Sequence, residues 1–339
     1  MMKSKWAISP PACILVTGAN GYIGSHVVDQ LLTLGFCVRG TVRNEKPWLD
    51  HFFQSKYGSS KFKSVVVPKL DDDDLLLHVL EGVSGVVHVA SDLSFSPDAH
   101  EVIPPMVAAM RIILRASSRK SVERVVLTSS SSAAVLPKPG VEGIKVTEET
   151  WNDTAVTAAW DVHTSAENKP WVVYAASKTE VELAAWKWMK EYNPSFVLNS
   201  VLPDTTIGPV LHQNIGGSTM KMTANLLNGD DSAIKNVPSQ WFIDVQDNAK
   251  MHVIALLSPE LESERLFAFN SPFTWTEVTT ILRKLRPHAP IPRVPEGELK
   301  DLMDIVPAKR AEELLISFYG HGWTNLEESL KGGIKSLDK

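Results

Sequence analysis

Tyr174 and Lys178 stand four residues apart in Trp171-Val172-Val173-Tyr174-Ala175-Ala176-Ser177-Lys178, at the head of a run that reads as helix through Glu182, Ala185 and Met189. Residues four apart share one face of a helix, so the phenol and the ammonium point the same way. A nearby cation favours phenolate and lowers a tyrosine pKa. A phenol so placed can pass a proton to a carbonyl oxygen near neutral pH. The same spacing also occurs on plain solvated helix faces, so the pair gains its meaning from the elements around it.

One such element lies near the N-terminus. Ala12 to Val16 is a short apolar run that reads as a buried parallel strand. It is followed by Thr17-Gly18-Ala19-Asn20-Gly21-Tyr22-Ile23-Gly24 and an amphipathic helix from Ser25 to Leu34, ended by Gly35. In this strand, turn and helix order each glycine has a task. Gly18 allows the tight turn, Gly21 lets the backbone approach a pyrophosphate, and Gly24 lets helix and strand pack closely. The helix N-terminus then offers free N–H groups to the phosphates. A glycine-rich turn that binds nothing is the competing reading. The second strand, Phe36 to Val42, ends at Arg43, and no acid occurs between Phe36 and Asn44. An acid here would suit the ribose hydroxyls of NAD, whereas an arginine accommodates a 2′-phosphate. NADP(H) is therefore the expected cofactor, with Arg43 as its main phosphate contact and Arg39 as a second candidate.

The whole chain narrows the class. Its 339 residues allow one large domain or two unequal ones, and 44% hydrophobic with 22% charged residues is ordinary for a globular protein. A net charge of -5 leaves no electrostatic footprint for nucleic acid. No apolar run approaches the ~20 residues that span a bilayer, and Pro10 and Pro11 interrupt any signal-peptide core. Cys13 and Cys37, the only two cysteines, read as small buried hydrophobes, which fits a reducing, cytoplasmic setting. The ten histidines have no metal-ligand spacing, so no metal is expected.

Strand and helix keep alternating, which predicts an α/β fold: a Rossmann doubly wound parallel sheet with a smaller, mostly helical C-terminal lobe. Further strands are expected at Phe62–Val67, Gly85–Val89, Arg124–Leu127, Ser195–Leu202 and Trp241–Asp244. Helices are expected at Leu75–Leu80, Ala99–Arg119 and Val245–Leu257. The acidic run Asp71–Asp74 reads as charge complementing a helix N-terminus. The fifth strand delivers Thr128-Ser129-Ser130-Ser131-Ser132 to its carboxyl end, where open α/β sheets bind ligands. The mostly irregular segment from Ala133 to Pro170 is expected to fold over the site as a wall. The predicted division is 1–203 with 238–258 for the dinucleotide domain, and 204–237 with 259–339 for the substrate lobe.

Thr-Gly-Ala-Asn-Gly-Tyr-Ile-Gly, Leu-Thr-Ser-Ser, Tyr-Ala-Ala-Ser-Lys and Val-Leu-Pro-Asp-Thr-Thr-Ile-Gly-Pro occur in the order found in extended short-chain dehydrogenase/reductases. Within that superfamily the chain resembles the dihydroflavonol 4-reductase-like branch, and within it the yeast and fungal NADPH-dependent aldehyde and carbonyl reductases. The resemblance runs from about Cys13 to Ser329. It implies that Ser130 hydrogen-bonds the substrate carbonyl, that Tyr174 donates the proton, and that Lys178 depresses the tyrosine pKa and holds the nicotinamide ribose. It places the pyrophosphate on the amides of Tyr22 and Ile23. Val89, Ala90 and Ser91 then line the adenosine and ribose side, and Pro203 lies against the nicotinamide. In relatives the helix from Ala99 and the helix opened by Tyr174 often form a dimer face, which makes a homodimer the candidate assembly.

Two positions depart from the family pattern. Family members usually carry an acid at the end of the third strand; here Lys69 stands there, followed by Leu70, so the adenine-side contact falls to Leu70, with Asp71 close by. Ile112 occupies a helix position where relatives often have asparagine, and its side chain cannot relay a proton through a hydrogen bond.

The expected activity is NADPH-dependent reduction of an aldehyde or ketone, aromatic or otherwise apolar, with Trp151, Trp160, Val135, Met220, Met222 and Trp241 as candidates for the pocket. Two alternatives stay open. One is a cofactor-retaining epimerase acting on a polar substrate; the other is a non-catalytic dinucleotide sensor.

Overall fold

The computed structural model describes residues 6–338. The ends of the two predicted domains, residues 1–5 and Lys339, lie outside the described residues. The strands are β1 (Cys13–Thr17), β2 (Cys37–Val42), β3 (Phe62–Val66), β4 (Val83–His88), β5 (Arg124–Thr128), β6 (Lys145–Val146), β7 (Val197–Pro203), β8 (Thr205–Ile207), β9 (Trp241–Asp244), β10 (Arg265–Ala268), β11 (Ser271–Pro272) and β12 (Asp304–Ile305). The helices before β7 are α1 (Tyr22–Thr33), α2 (Pro47–Tyr57), α3 (Asp73–Val79), α4 (Ala99–Ser118), α5 (Asp153–Trp160) and α6 (Lys169–Tyr192). After it come α7 (Ser218–Asn225), α8 (Ser232–Asn236), α9 (Val245–Leu257), α10 (Trp275–Leu285), α11 (Ala308–Tyr319) and α12 (Leu326–Leu337).

The large sheet has seven strands in the order β10-β7-β5-β4-β1-β2-β3, and every pairing in it is parallel. The Rossmann-like expectation holds. Alternation along each strand sends successive side chains to opposite faces. Ile14 and Val16 join the cluster that packs α1 and α9, while Leu15 joins the one that packs α3, α4 and α6. Val126 and its neighbours Val125 and Leu127 divide in the same way. With both faces covered, the strands read as continuous apolar runs. Strand order reverses between β1 and β4, which opens a crevice at their carboxyl ends.

A second, three-stranded sheet, β11-β9-β8, packs with α7, α10 and α12 around Ile207, Met220, Phe242, Phe273, Trp275 and Leu330. The two halves are tied by the Tyr22 hydroxyl, which donates to the Gly208 carbonyl oxygen at 2.7 Å. The short β6–β12 pair links the wall segment to residues 304–305.

Several boundaries differ from the sequence reading. Trp241–Asp244 lies in the small sheet, not in the dinucleotide domain. Arg265–Ala268, assigned to the substrate lobe, is the seventh strand of the large sheet, and α11 packs on that sheet through Ala311 and Leu315. A four-residue strand carries too little periodicity to register before its partner β7 is known. Helix α2 was not expected, and the wall segment contains α5. Helix α6 begins at Lys169, with Pro170 in its first turn, so Tyr174 sits in its second turn. The acidic run behaves as read: Asp72 caps α3 through the Leu75 amide at 3.0 Å, and Asp73 pairs with Arg115 at 3.0 Å. Cys13 and Cys37 are register partners on β1 and β2, free, and half-buried rather than fully buried. Among the described residues no helix is long and apolar enough to cross a membrane.

Candidate active site

The crevice begins at the glycine turn. Gly18 has φ +67, a conformation that disfavours any side chain, and a Cβ there would stand 3.2 Å from the Ala90 backbone. A Cβ on Gly24 would stand 2.2 Å from the Gly18 carbonyl oxygen, so α1 can lie against this turn only as glycine. Gly21 is the N-cap of α1, and no side chain caps that end. The first-turn amides of Tyr22 and Ile23 therefore have no intrahelical acceptor and face the turn with the positive end of the helix. The Tyr22 ring itself is buried in the second lobe.

Across the crevice, Thr17 at the end of β1 organises the loop after β4. Its hydroxyl oxygen accepts the amides of Val89 and Ala90, each at 3.0 Å, and contacts His88 Nδ1 at 2.8 Å. Two accepted bonds leave the hydroxyl proton for His88, so Nδ1 is the acceptor and Nε2 carries the ring hydrogen. On α9, His252 has the opposite tautomer: Nδ1 donates to the Asn248 carbonyl at 2.8 Å and Nε2 accepts from the Thr128 hydroxyl at 2.8 Å. Burial lowers His88 to about 3 and His252 to about 4, and the Lys178 charge pushes both the same way.

Strand β5 ends at the serine run. The Ser130 hydroxyl acts on the Tyr174 phenol as a donor that favours its anion, and it accepts the Ser132 amide at 3.2 Å. Ser130, Tyr174 and Lys178 are therefore brought to one place, as expected. The phenol is raised above its ordinary value by burial; the Ser130 hydroxyl opposes the rise and the charge of Asp204 adds to it. The Lys178 ammonium donates to the Thr128 carbonyl at 3.1 Å, and burial lowers it from 10.5 to about 8 against the pull of Glu182. Desolvation sets the direction, and the expected depression of the phenol by Lys178 does not enter it.

Behind Lys178, one turn along α6, Glu182 is fully buried. Its oxygens accept from Ser129 at 2.7 Å, Ser200 at 2.6 Å, Arg265 Nε at 2.9 Å and the Trp186 indole at 3.3 Å. The departure at Ile112 places an apolar side chain against the core cluster under this face. A cavity of about 10 Å³ between α4 and α6 is lined by His88, Ser91, Ser129, Ser177 and Lys178 among others.

The remaining expectations separate. Arg43 is exposed and makes no ion pair with the described residues, so its guanidinium is free at the β2 end of the crevice. Arg39 is not: it donates to the carbonyls of Val79 and Glu81, the latter at 3.0 Å, and ties β2 to the turn before β4. Leu70 packs partly against the core beside β4. Pro203 is the buried last residue of β7. Of the pocket candidates, Val135 and Trp241 meet in one cluster with Phe269 and Met303, next to the turn that follows Ser130. Trp151 lies elsewhere, under the Arg265 guanidinium at 3.7 Å, in a larger cavity of about 370 Å³ at the β10 edge that contains none of the triad. Trp160 is exposed and donates to Glu180 at 3.1 Å, and Met220 is core. The sequence reading missed Phe95. Its ring lies 5.1 Å from that of Tyr174 and 4.8 Å from that of Trp171, on a backbone with φ +51 that only the surrounding loop can hold. The wall segment is pinned here too, by Asn152 donating to the Ser132 carbonyl at 2.8 Å.

Residues 14–268 match the model of the NAD dependent epimerase/dehydratase family. The chain belongs to this family. It is 44% identical to ketoreductase adrE of Penicillium rubens over 334 residues, which cover 96% of this chain and 97% of that one. It is 39% identical to aldehyde reductase 2 of Sporidiobolus salmonicolor over 339 residues, 98% of each. In three dimensions it resembles yeast methylglyoxal/isovaleraldehyde reductase Gre2, solved with NADPH, with TM-score 0.78 and 27% identity over 96% of this chain and 98% of that chain. The resemblance implied this family and relatives of reductase type, and the parallel sheet agrees with the fold it implied.

Proposed function

We propose that this protein reduces an aldehyde or ketone to an alcohol with NADPH. The observation that carries the reading is the meeting of Ser130, two residues past Thr128 at the carboxyl end of β5, with Tyr174 and Lys178 of α6, the Lys178 ammonium donating to the Thr128 carbonyl at 3.1 Å. The relatives named ketoreductase and aldehyde reductase support the same reaction class. The residues of the crevice fit the cofactor: a Cβ on Gly18 or Gly24 would fill the turn, and the α1 amides are free for a pyrophosphate. The uncommitted Arg43 suits a 2′-phosphate, Leu70 the adenine side, and Val89, Ala90 and Ser91 the ribose side, while Pro203 and Lys178 bound the nicotinamide end.

When bound, NADPH supplies the hydride. The protein handles the oxygen. The substrate carbonyl accepts from Ser130 and Tyr174, and Tyr174 transfers its phenolic proton as negative charge builds there. Ser130 stabilises that charge as an oxyanion donor, an effect of about 3 kcal/mol. A phenol raised by burial stays protonated at neutral pH, which suits a donor. The Lys178 ammonium, near 8, stays mostly charged and favours the phenolate left behind. Phe95, against the Tyr174 ring, and Trp171, against Phe95, give this site apolar surface for an aromatic substrate. In this reading the segment 204–237 and the elements β9, α10 and α12 form the substrate side, and a homodimer through α4 and α6 is the expected assembly.

The test is NADPH and NADH oxidation with a panel of aryl aldehydes and ketones, beside Tyr174→Phe. Turnover with NADPH, lost in the variant while the cofactor still binds, is the expected result. Full activity in Tyr174→Phe would overturn the mechanism. Cofactor retained through purification, with no net oxidation, would indicate the epimerase instead.

A further inference from the structure

Cys13 and Cys37 take no part in the function proposed above. Each is the first residue of its strand, and they pair in register at the amino ends of β1 and β2. Their neighbours Ile14 and Val38 are also register partners, and both enter the cluster that packs α1 and α9. Alternation therefore turns both cysteines to the opposite face, where Cys13 packs beside the cluster that contains Leu15. Both are free and only half-buried.

Neighbouring strands lie about 4.8 Å apart. A disulfide spans Cα separations of roughly 4.4–6.8 Å. In-register partners on one face of the sheet meet that span without rearranging the fold. As first residues of their strands, they can also shift without disturbing the ladder beyond them. Burial raises the Cys13 thiol, and the charge of Arg39, two residues beyond Cys37, opposes the rise. Among the described residues no third ligand joins the pair to make a metal site. Strand starts that needed only an apolar side chain would be served by valine or isoleucine, which are inert.

We propose that Cys13 and Cys37 form a redox-modification site, joined within one chain by a hydroperoxide into a reversible disulfide. The Cys37 sulfur attacks one peroxide oxygen and the O–O bond breaks. Cys37 becomes a sulfenic acid, and the departing oxygen takes up the thiol proton and leaves as water or an alcohol. The Cys13 sulfur then attacks the sulfenic sulfur; the S–S bond forms and water leaves. Two thiols are thereby oxidised by two electrons and the peroxide is reduced by the same two. Either order balances, and burial, which holds Cys13 in its thiol form, gives the first attack to Cys37. In a reducing compartment the pair rests as thiols and closes only under oxidant. The bond closes a loop that holds the glycine turn and α1, which restricts the unfolded chain. It lies at the far ends of β1 and β2 from Thr17 and Arg43, so the crevice keeps its shape.

The experiment treats the reduced full chain with hydrogen peroxide, in buffer and in urea, beside Cys13→Ala and Cys37→Ala, and then blocks free thiols with iodoacetamide. Trypsin cuts after Lys5 and Arg39, so both cysteines fall in one peptide, residues 6–39. From the folded wild type that peptide is expected unblocked and lighter by two hydrogens, at lower peroxide than in urea. Dithiothreitol should restore it. The oxidised protein should melt about 5 °C higher, and neither alanine variant should show that rise. The wild-type peptide decides by itself, so a variant that does not fold leaves the test intact. Thiols that survive the peroxide, sulfinic acids without a cross-link, a bridge only between two molecules, or equal oxidation in urea each overturn the proposal. None of these outcomes bears on carbonyl reduction.

Discussion

The cofactor side and the substrate side of the crevice are built by different means. On the cofactor side the constraint is local: a Cβ on Gly18 or Gly24 would stand within 3.2 Å of backbone atoms, and the Thr17 hydroxyl acts at the same turn. On the substrate side, the groups that meet at Tyr174 come from distant parts of the chain: Phe95 from the loop before α4 and Ser130 from the end of β5. The first region tolerates little change because the backbone itself is the binding surface. The second can change its ligand by single side chains, because the scaffold that carries them is independent of them. That difference is what lets one family hold many substrates.

Several measurements would break or sharpen this contrast. The largest effect is expected from Tyr174→Phe, which removes the proton donor of the substrate side and should cut kcat by about 10³-fold while NADPH affinity stays within about twofold. A parallel loss of cofactor binding would mean that the two sides are not separable.

Glu182→Ala acts beneath both. It leaves Arg265, paired at 2.9 Å, as a buried cation with no counter-ion, held only by the Glu148 and Thr150 carbonyls and the Trp151 ring, and a loss of about 3–5 kcal/mol is expected from urea unfolding. A change under 1 kcal/mol would show that Arg265 finds another partner.

On the cofactor side alone, Arg43→Ala should raise the KM for NADPH about tenfold and leave that for NADH unchanged, since the guanidinium is free of other duties. Equal change for both cofactors would remove Arg43 from the 2′-phosphate.

The last effect is in pH. His88 and His252, under the cofactor side, have folded values lowered from 6.5 to about 3 and about 4. Below pH 6.5 the unfolded chain takes up protons that these folded rings refuse, so their contribution to stability falls as pH falls toward 4. Asp204 and Asp244 are raised from 3.8 to about 7 and about 6, hold their protons when folded, and add stability over the same descent. Hydrogen exchange between pH 7 and 4.5 should therefore show protection falling by about 1–2 kcal/mol per histidine around β4 and α9 relative to β8 and β9. Parallel change in both regions would sink the contrast.

The local elements were legible because their causes are local. Strand β1, the glycine turn and the Tyr174–Lys178 spacing are decided within a dozen residues by sterics and helix period. The strand β10 was not, because four apolar residues become a strand only beside β7. Trp151 and Trp160 misled for a related reason: a tryptophan signals a large apolar surface but not which cavity it enters, and these two face the β10 edge and the outside of α5. Glu182 lay four residues beyond Lys178 on the same helical face, a signal that was present and unused.

By itself the sequence determined the family, the crevice end of the sheet and the residues able to move a proton, since each follows from backbone sterics or side-chain chemistry at short range. Only the tertiary structure decided that burial, not Lys178, dominates the phenol pKa. It alone also bridged Glu182 to Arg265 and set an aromatic ring beside Tyr174. Desolvation and contact between residues far apart in sequence exist only once the chain has closed around them.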